Sequence, residues 1–271
     1  MRRLYYFSWR DECPFALVLA FLLSAVYWLT LPPGVTFEDT GLFATVCYNA
    51  GIAHPPGYPL HTLLCIPFAR LADFLPLNPA QATALLSLMA AVAAAVLFYE
   101  IAGRLWRRRT LAFFLAAALG LGDRFWSQAI IPETYTLNAL LVVATLLFIL
   151  RFMRRPKKCQ PLFIAAFLFG LGLSNHWPLY LITAPAFAIM VFDGKTFKRH
   201  LTTANIGRVF FFVALGLSPY LYLLYRADFA PAPFAPIGGT ESWREFFAHI
   251  SRASYRALET AESLSFSTRL V

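Results

Sequence analysis

Two adjacent carboxylates, Glu38 and Asp39, lie in the short stretch Thr36–Gly41 (TFEDTG). A carboxylate within hydrogen-bond reach of a hydroxyl can remove its proton and act as a general base. Adjacent acids also favour helix N-termini, so the pair could instead cap a helix that begins near Thr40. The pair alone leaves both interpretations open.

A second stretch, Gly51–Leu60 (GIAHPPGYPL), carries a histidine and a tyrosine between prolines. Its three prolines fix φ and hold the preceding residues extended, while Gly57 permits a tight turn. The pattern predicts a rigid loop that presents His54 and Tyr58 to one place. The alternative is a re-entrant turn that joins two interfacial helices.

The elements that must position these loops are apolar helices. The 271 residues are 59% hydrophobic and 14% charged, with mean hydropathy +0.61, whereas soluble proteins carry about 25% charged residues. We therefore predict an all-α polytopic membrane protein. The first apolar run is longer than the roughly 7–15 residues of a signal-peptide core. The seven candidate spans are Pro14–Leu31, Pro79–Gly103, Thr110–Gly122, Thr134–Phe152, Pro161–Ser174, Pro178–Phe192 and Ile206–Tyr225.

The charge distribution predicts the orientation of the chain. The net charge is +9, and most Lys and Arg residues fall on one side if the N-terminus is cytoplasmic, as the positive-inside rule requires. The basic excess therefore reports membrane insertion and not nucleic-acid binding. Acidic residues collect on the opposite side, so any chemistry is expected to face outward.

The chain divides into two predicted parts. Residues 1–225 form a bundle of about seven spans, with a first outer loop at 32–78 that contains short interfacial helices. Residues 226–271 form a breaker-rich linker and an amphipathic helix capped by Thr240 or Ser242. Because no closing span follows, we expect a fragment or a truncated product.

Small residues and cysteines have structural interpretations. The motifs LGLG (119–122), GLGL (170–173) and LGLS (215–218) predict close helix packing. A disulfide between Cys47 and Cys65 is possible in an oxidising compartment, but small apolar fillers are the favoured interpretation. No Cys/His spacing indicates zinc.

Several stretches together resemble one known family. They are EDTGLF with GIAHPPGYPLHTLL, WSQA through ETYTLNAL (126–140), GLGLSNH (170–176), Tyr220-Leu221-Tyr222 with Arg226, and Trp243 with His249–Tyr255. This order is similar to a large family of polytopic proteins that includes the vertebrate protein O-mannosyltransferases acting on IPT domains. The resemblance covers nearly the whole chain. It implies a GT-C-like transmembrane bundle that transfers a sugar from a polyprenyl-phosphate donor to an acceptor on the outer membrane face.

The resemblance also implies roles for individual residues. Asp39 is the candidate general base and Glu38 is its neighbour. The family often carries another acid where this chain has Leu42, so a divalent metal is left unassigned and no cofactor is certain. The candidate substrate-binding residues are His54, Tyr58, Glu133, Asn175, His176 and Arg226.

The departing lipid phosphate needs cationic or N–H donors. Arg226 and His176 are the candidates for binding it. Arg226 could instead be an interface anchor, and His176, beside Asn175, could cap a broken helix. Glu133 is either a helix-start acid or a cavity group near Asp39.

The expected partners are the bilayer, the lipid-linked sugar, most plausibly mannose, and a protein or glycan acceptor, without nucleic acid. The expected location is a bacterial inner membrane, or the ER membrane in a eukaryote. The rival functions are a transporter or flippase of lipid-linked substrates, an inactive family member and a non-catalytic scaffold.

Overall fold

The computed structural model describes residues 9–154, 158–192, 202–228, 242–253 and 255. Within these ranges the chain is helical, with two short 3₁₀ turns at Arg70–Asp73 and Ser218–Tyr220. The α-helices are α1 (Trp9–Leu29), α2 (Thr40–Asn49), α3 (Pro59–Ala69), α4 (Pro79–Trp106), α5 (Arg109–Gly120), α6 (Asp123–Ala129), α7 (Tyr135–Arg154), α8 (Gln160–Leu181), α9 (Ala184–Phe192), α10 (Thr203–Gly216), α11 (Leu221–Asp228) and α12 (Trp243–Ile250).

Four helical segments in the described ranges are long and apolar enough to cross a membrane: Pro79–Trp106, Tyr135–Arg154, Gln160–Leu181 and Thr203–Ala227. Two shorter apolar helices, Pro14–Leu29 and Arg109–Gly120, accompany them. Since a hydrocarbon core of about 30 Å needs about 20 helical residues, these lengths confirm an all-α polytopic membrane protein.

The predicted break between the fifth and sixth spans, after Ser174 and before Pro178, is a kink within one helix and not the end of a helix. Helix α8 continues past Ser174 to Leu181 and is kinked at His176, where φ is −152° and ψ is 79°. Pro178 lacks an N–H and disrupts the preceding turn, which accounts for a kink here. The apolar run that follows forms only the nine-residue helix α9.

The third predicted span is too short to cross a membrane. Helix α5 ends at Gly120, and α6 begins at Asp123 after a turn at Leu121 and Gly122. The chain therefore turns at the LGLG motif, and α5 stays well below the length of a full span.

Small residues bring the helices together as the motifs predict. A Cβ on Gly170 of α8 would lie 2.3 Å from the Val213 carbonyl oxygen of α10, and a Cβ on Gly216 would lie 2.3 Å from that of Phe167. Only glycine allows these backbones to approach so closely. The α1–α4–α5 core is likewise rich in buried alanines, and the Tyr27 hydroxyl donates to the Gly120 carbonyl (2.7 Å).

The loop between α1 and α4 is ordered by two helices packed against each other. Cys47 in α2 and Cys65 in α3 form a disulfide, which overturns the interpretation of these cysteines as unbonded fillers. Their spacing of 18 residues spans a helix, a loop and a second helix. Such a separation in sequence gives no local sign that the sulfurs meet.

An ion-pair cluster lies at the ends of α4 and α7 that are remote from this loop. The Glu100 carboxylate accepts a hydrogen bond from Arg104 and also pairs with Arg151 at 3.6 Å. Glu100 and Arg104 have the i,i+4 spacing at which opposite charges meet on one helix face.

Candidate functional site

The loop between α1 and α4 joins a carboxylate to an imidazole. The Asp39 Oδ2 atom lies 2.9 Å from His54 Nε2. The Asp39 side chain is 53% exposed while the His54 side chain is 10% exposed, so the ring is held and the carboxylate remains open. Asp39 precedes α2 but makes no side-chain capping bond, so the carboxylate is directed to His54 instead.

Aromatic packing and the turn geometry fix the His54 ring. Phe43 of α2 contacts both rings of the loop, with ring centroids 6.2 Å from His54 and 5.5 Å from Tyr58. Tyr58 has left-handed backbone angles and precedes Pro59, the first residue of α3, a position that suits proline. Pro59 therefore ends the loop at the first residue of α3, which agrees with the rigid loop predicted from the prolines. Burial raises the pKa of the Tyr58 hydroxyl above its usual range.

Helix α12, although distant in sequence, docks on the same loop. The His249 Nε2 atom lies 3.1 Å from the Ala53 carbonyl oxygen, and the Trp177 indole N–H donates to the Ile250 carbonyl at 2.8 Å. Gly57 has φ +93°, and a Cβ there would lie 3.2 Å from His249 Nε2. Glycine thus allows both the turn and the close approach of α12.

The residues that follow α12 complete the surroundings of His54. The Tyr255 hydroxyl lies 3.1 Å from His54 Nδ1. Nδ1 also lies 3.0 Å from the Pro55 carbonyl oxygen, so it donates to that oxygen when it carries a proton and accepts from the Tyr255 hydroxyl when it does not. Burial, followed by the nearby Asp39 carboxylate, raises the pKa of Tyr255, which keeps the hydroxyl a donor near pH 7.

A cation is present beside this group of rings. The Arg252 guanidinium lies 4.8 Å from the centre of the Tyr255 ring. Its positive charge also lowers the pKa of Tyr58, against the larger effect of burial. Arg252 thus supplies positive charge next to the Asp39–His54 pair.

A second carboxyl group lies behind Asp39. Glu133 is 4% exposed and accepts a hydrogen bond from the backbone N–H group of Thr134 (3.1 Å). Burial, together with the charges of Asp39 and Glu38, raises the pKa of Glu133 to about 7. Glu133 therefore lies close to Asp39, as the cavity interpretation expected, and near pH 7 its carboxyl group titrates.

Glu38 differs from its neighbour in its surroundings. It is exposed, has φ 66°, and its Oε2 atom accepts a hydrogen bond from Gln128 Nε2 at 3.2 Å. The two adjacent carboxylates thus have different partners, one an amide and the other an imidazole.

His176 and Asn175 lie at the kink of α8. The His176 ring is 5.3 Å from Tyr58, between ring centroids, and its Nδ1 accepts from the Leu179 N–H at 3.2 Å. Asn175 is 1% exposed and donates to the Thr134 carbonyl at 3.1 Å. His176 therefore supports the kink and contacts the site, whereas Asn175 holds the start of α7 against α8.

Arg226 has a different set of neighbours. It lies one turn after Tyr222 in α11, and the Tyr222 hydroxyl donates to the carbonyl oxygens of Ala50 (2.7 Å) and Gly51 (2.9 Å). The contacts of Asp39 and His54 described above come instead from the loop and from the α12 region.

Sequence reasoning missed His249, Arg252 and Tyr255 as parts of the site. The segment His249–Tyr255 contributes to the family resemblance, and this was the available signal. Its contact with His54 spans 201 residues, so no local pattern reveals the pairing.

The helices and this polar group define a class: a polytopic membrane protein with an exposed carboxylate held by an imidazole at one end of its bundle. Residues 39–200 match the family model of the protein O-mannosyl-transferase TMEM260 N-terminal domain. The chain belongs to this family.

Two curated relatives bear the same name. The chain is 29% identical to mouse protein O-mannosyl-transferase TMEM260 over 250 residues, covering 89% of this chain and 34% of the relative. It is 27% identical to the Dictyostelium discoideum protein over 259 residues, covering 90% of this chain and 31% of the relative. The chain thus spans about a third of the length of these relatives. No solved structure matches the chain.

Proposed function

We propose that this protein is a GT-C-type glycosyltransferase that moves a sugar from a polyprenyl-phosphate donor to an acceptor hydroxyl. The names of the relatives favour mannose as the sugar and a protein as the acceptor. The observation that carries the proposal is the 2.9 Å contact between His54 and a half-exposed Asp39. It leaves one carboxylate oxygen open to a substrate.

Asp39 acts as the general base. The acceptor hydroxyl transfers its proton to the open carboxylate oxygen while its own oxygen bonds to the anomeric carbon. The bond from that carbon to the phosphate oxygen breaks, and polyprenyl phosphate leaves with the electron pair. Such proton removal contributes about 10²–10⁴-fold to rate. The hydrogen bond from His54 holds the carboxylate in one orientation during this step.

Arg252 stabilises the leaving phosphate. It combines a positive charge with contact to Tyr255, which lies against His54. Charge-assisted hydrogen bonds to a phosphate are about twice as strong as neutral ones. His176 and Arg226, the phosphate-binding candidates from the sequence, remain to be tested beside Arg252. The side chains that line or support the same site are those of His54, Tyr58, Glu133 and Asn175.

The site faces the outer or lumenal side of a bacterial inner or ER membrane, with the N-terminus in the cytoplasm. The distribution of basic residues supports this orientation. The disulfide between Cys47 and Cys65 supports it as well, because disulfides persist in oxidising compartments. The role of a divalent metal is left open.

The direct test uses the full chain in liposomes with labelled polyprenyl-phosphate mannose and a Ser/Thr-containing acceptor peptide. We expect label on the peptide and none when a nucleotide sugar replaces the lipid donor. Movement of the donor across the bilayer without labelled peptide would favour a flippase and contradict the proposal.

The same assay distinguishes the roles of Arg252 and Arg226. Arg252→Ala is expected to raise the KM for the lipid donor about 10–100-fold, which corresponds to loss of a charged hydrogen bond of about 1.5–3 kcal/mol. Arg226→Ala is the matched variant and should leave that KM within about threefold. The opposite ranking would assign the phosphate to Arg226.

A further inference from the structure

Two cysteines and a histidine converge behind the Asp39–His54 pair. Cys47 lies in α2, and His61 and Cys65 lie one turn apart in α3. One ligand atom from each, the two sulfurs and a ring nitrogen, lie within 4.8 Å of one another, and all three residues are buried. Residues at i and i+4 share one helix face, so α3 offers two ligand atoms toward the third on α2.

His61 is not explained by packing alone. Its ring is 0% exposed, and neither ring nitrogen has a hydrogen-bond partner among the described residues. A buried polar group without a partner costs about 1–3 kcal/mol. A leucine or phenylalanine would fill the same space against Phe43, whose ring centroid is 5.0 Å away, without this cost. Imidazole nitrogens are common metal ligands, and this one faces two sulfurs.

We propose that Cys47, His61 and Cys65 bind one thiophilic cation, such as Zn²⁺, when the two cysteines are reduced. A dithiol reductant supplies two electrons, opens the disulfide to two thiols and becomes a disulfide itself. Binding of Zn²⁺ then displaces the two thiol protons. Two thiolates and a divalent cation sum to zero charge, which suits a buried place because isolated charges are costly there.

The ligand chemistry fits zinc. Zinc prefers cysteine sulfur and histidine nitrogen in tetrahedral sites, and soft thiolates select zinc or Cu⁺ over Mg²⁺ and Ca²⁺. Three protein ligands leave one tetrahedral position for a small molecule such as water.

The cluster connects α2 to α3, the helices next to the Asp39–His54 pair, in both redox states. The disulfide joins them when the cysteines are oxidised, and the cation joins them when the cysteines are reduced. Phe43 packs between His61 and the rings of His54 and Tyr58. The cluster therefore supports the loop from behind without contacting Asp39, and its binding of a cation does not depend on sugar transfer.

The test is a metal titration of the full chain in detergent. The chain is reduced with a dithiol reductant, freed of it without oxygen, and titrated with Co²⁺ as a spectroscopic probe. We expect one Co²⁺ per chain, a sulfur-to-cobalt charge-transfer band, and displacement of Co²⁺ by Zn²⁺. The untreated, disulfide-bonded chain should show no such band.

Variants identify the ligands. Cys65→Ser should abolish the band, and His61→Leu should weaken Co²⁺ binding at least about tenfold. Cys159→Ser, which removes a thiol outside the cluster, is the matched control and should change neither. A reduced wild-type chain without the band would overturn the proposal, as would a band that survives Cys65→Ser. Since the wild-type titration needs no variant and no sugar transfer, its result is independent of the proposed enzyme activity.

Discussion

Two histidines seven residues apart occupy opposite environments. His54 lies in the proline-rich loop, where Asp39 contacts one ring nitrogen and Tyr255 the other. His61 lies in the following helix, where burial lowers its pKa to about 4 and neither nitrogen has a hydrogen-bond partner among the described residues. Both rings pack against Phe43, so they share a scaffold but differ in their polar partners.

The difference separates chemistry from support. A ring with a carboxylate on one side and a hydroxyl on the other can hold a proton in a defined place, and the open carboxylate gives substrates access to it. A neutral ring sealed beside two sulfurs has no access to a sugar or a phosphate. Substitution of Asp39 should therefore lower the rate of sugar transfer, and substitution of His61 should weaken cation binding.

The largest expected effect is on Asp39. Asp39→Asn removes the base but keeps the size of the side chain, so sugar transfer should fall about 10²–10⁴-fold with an unchanged melting temperature. Asp123→Asn, which alters an exposed acid in the first turn of α6, is the matched control and should retain activity. Full transfer by Asp39→Asn would remove Asp39 as the base.

A smaller effect concerns the buried Glu133. Its pKa is raised from 4.5 to about 7, so the folded chain favours the protonated carboxyl. The stabilisation is complete below about pH 4.5 and is lost as the pH rises toward 7, by up to about 3 kcal/mol. Glu133→Gln cannot ionise, so its melting temperature should vary less between pH 5 and pH 7.5 than that of the wild type. Equal slopes for the two proteins would contradict this account of Glu133.

The smallest effect on sugar transfer is expected at His61. With the disulfide intact, His61→Leu removes a buried polar ring that has no hydrogen-bond partner among the described residues, so the variant should be more stable by up to about 1–3 kcal/mol while transfer stays within about twofold. The matched variant His54→Leu removes the ring contacts to Asp39, Pro55 and Tyr255 and should lower transfer at least about tenfold. Similar losses in both variants would erase the distinction between the two histidines.

The sequence alone predicts the parts of this molecule that depend on local pattern. The apolar runs predict the long helices α4 and α7, the prolines and Gly57 predict the rigid loop, and the amphipathic stripe with Ser242 predicts α12. Ser242 indeed accepts from the Glu245 N–H in a capping box. These signals are local because hydrophobic periodicity and capping act over a few residues.

Contacts between distant segments escape such reasoning. The disulfide and the docking of Tyr255 on His54 both depend on how helices pack, and neither has a local signature. The kink at His176 was predicted as a complete break because proline and polar residues disfavour helix continuation, whereas α8 resumes beyond them. Tertiary packing therefore decides how the predicted pieces meet.

The central claim is that Asp39 and His54 act as one unit in sugar transfer, and a double-mutant cycle on kcat tests it most directly. The four proteins are the wild type, Asp39→Asn, His54→Ala and the double variant, assayed with saturating lipid donor and peptide. If His54 acts through Asp39, the double variant should be no slower than Asp39→Asn alone. Losses that multiply in the double variant would show that the two residues work independently and would contradict the account.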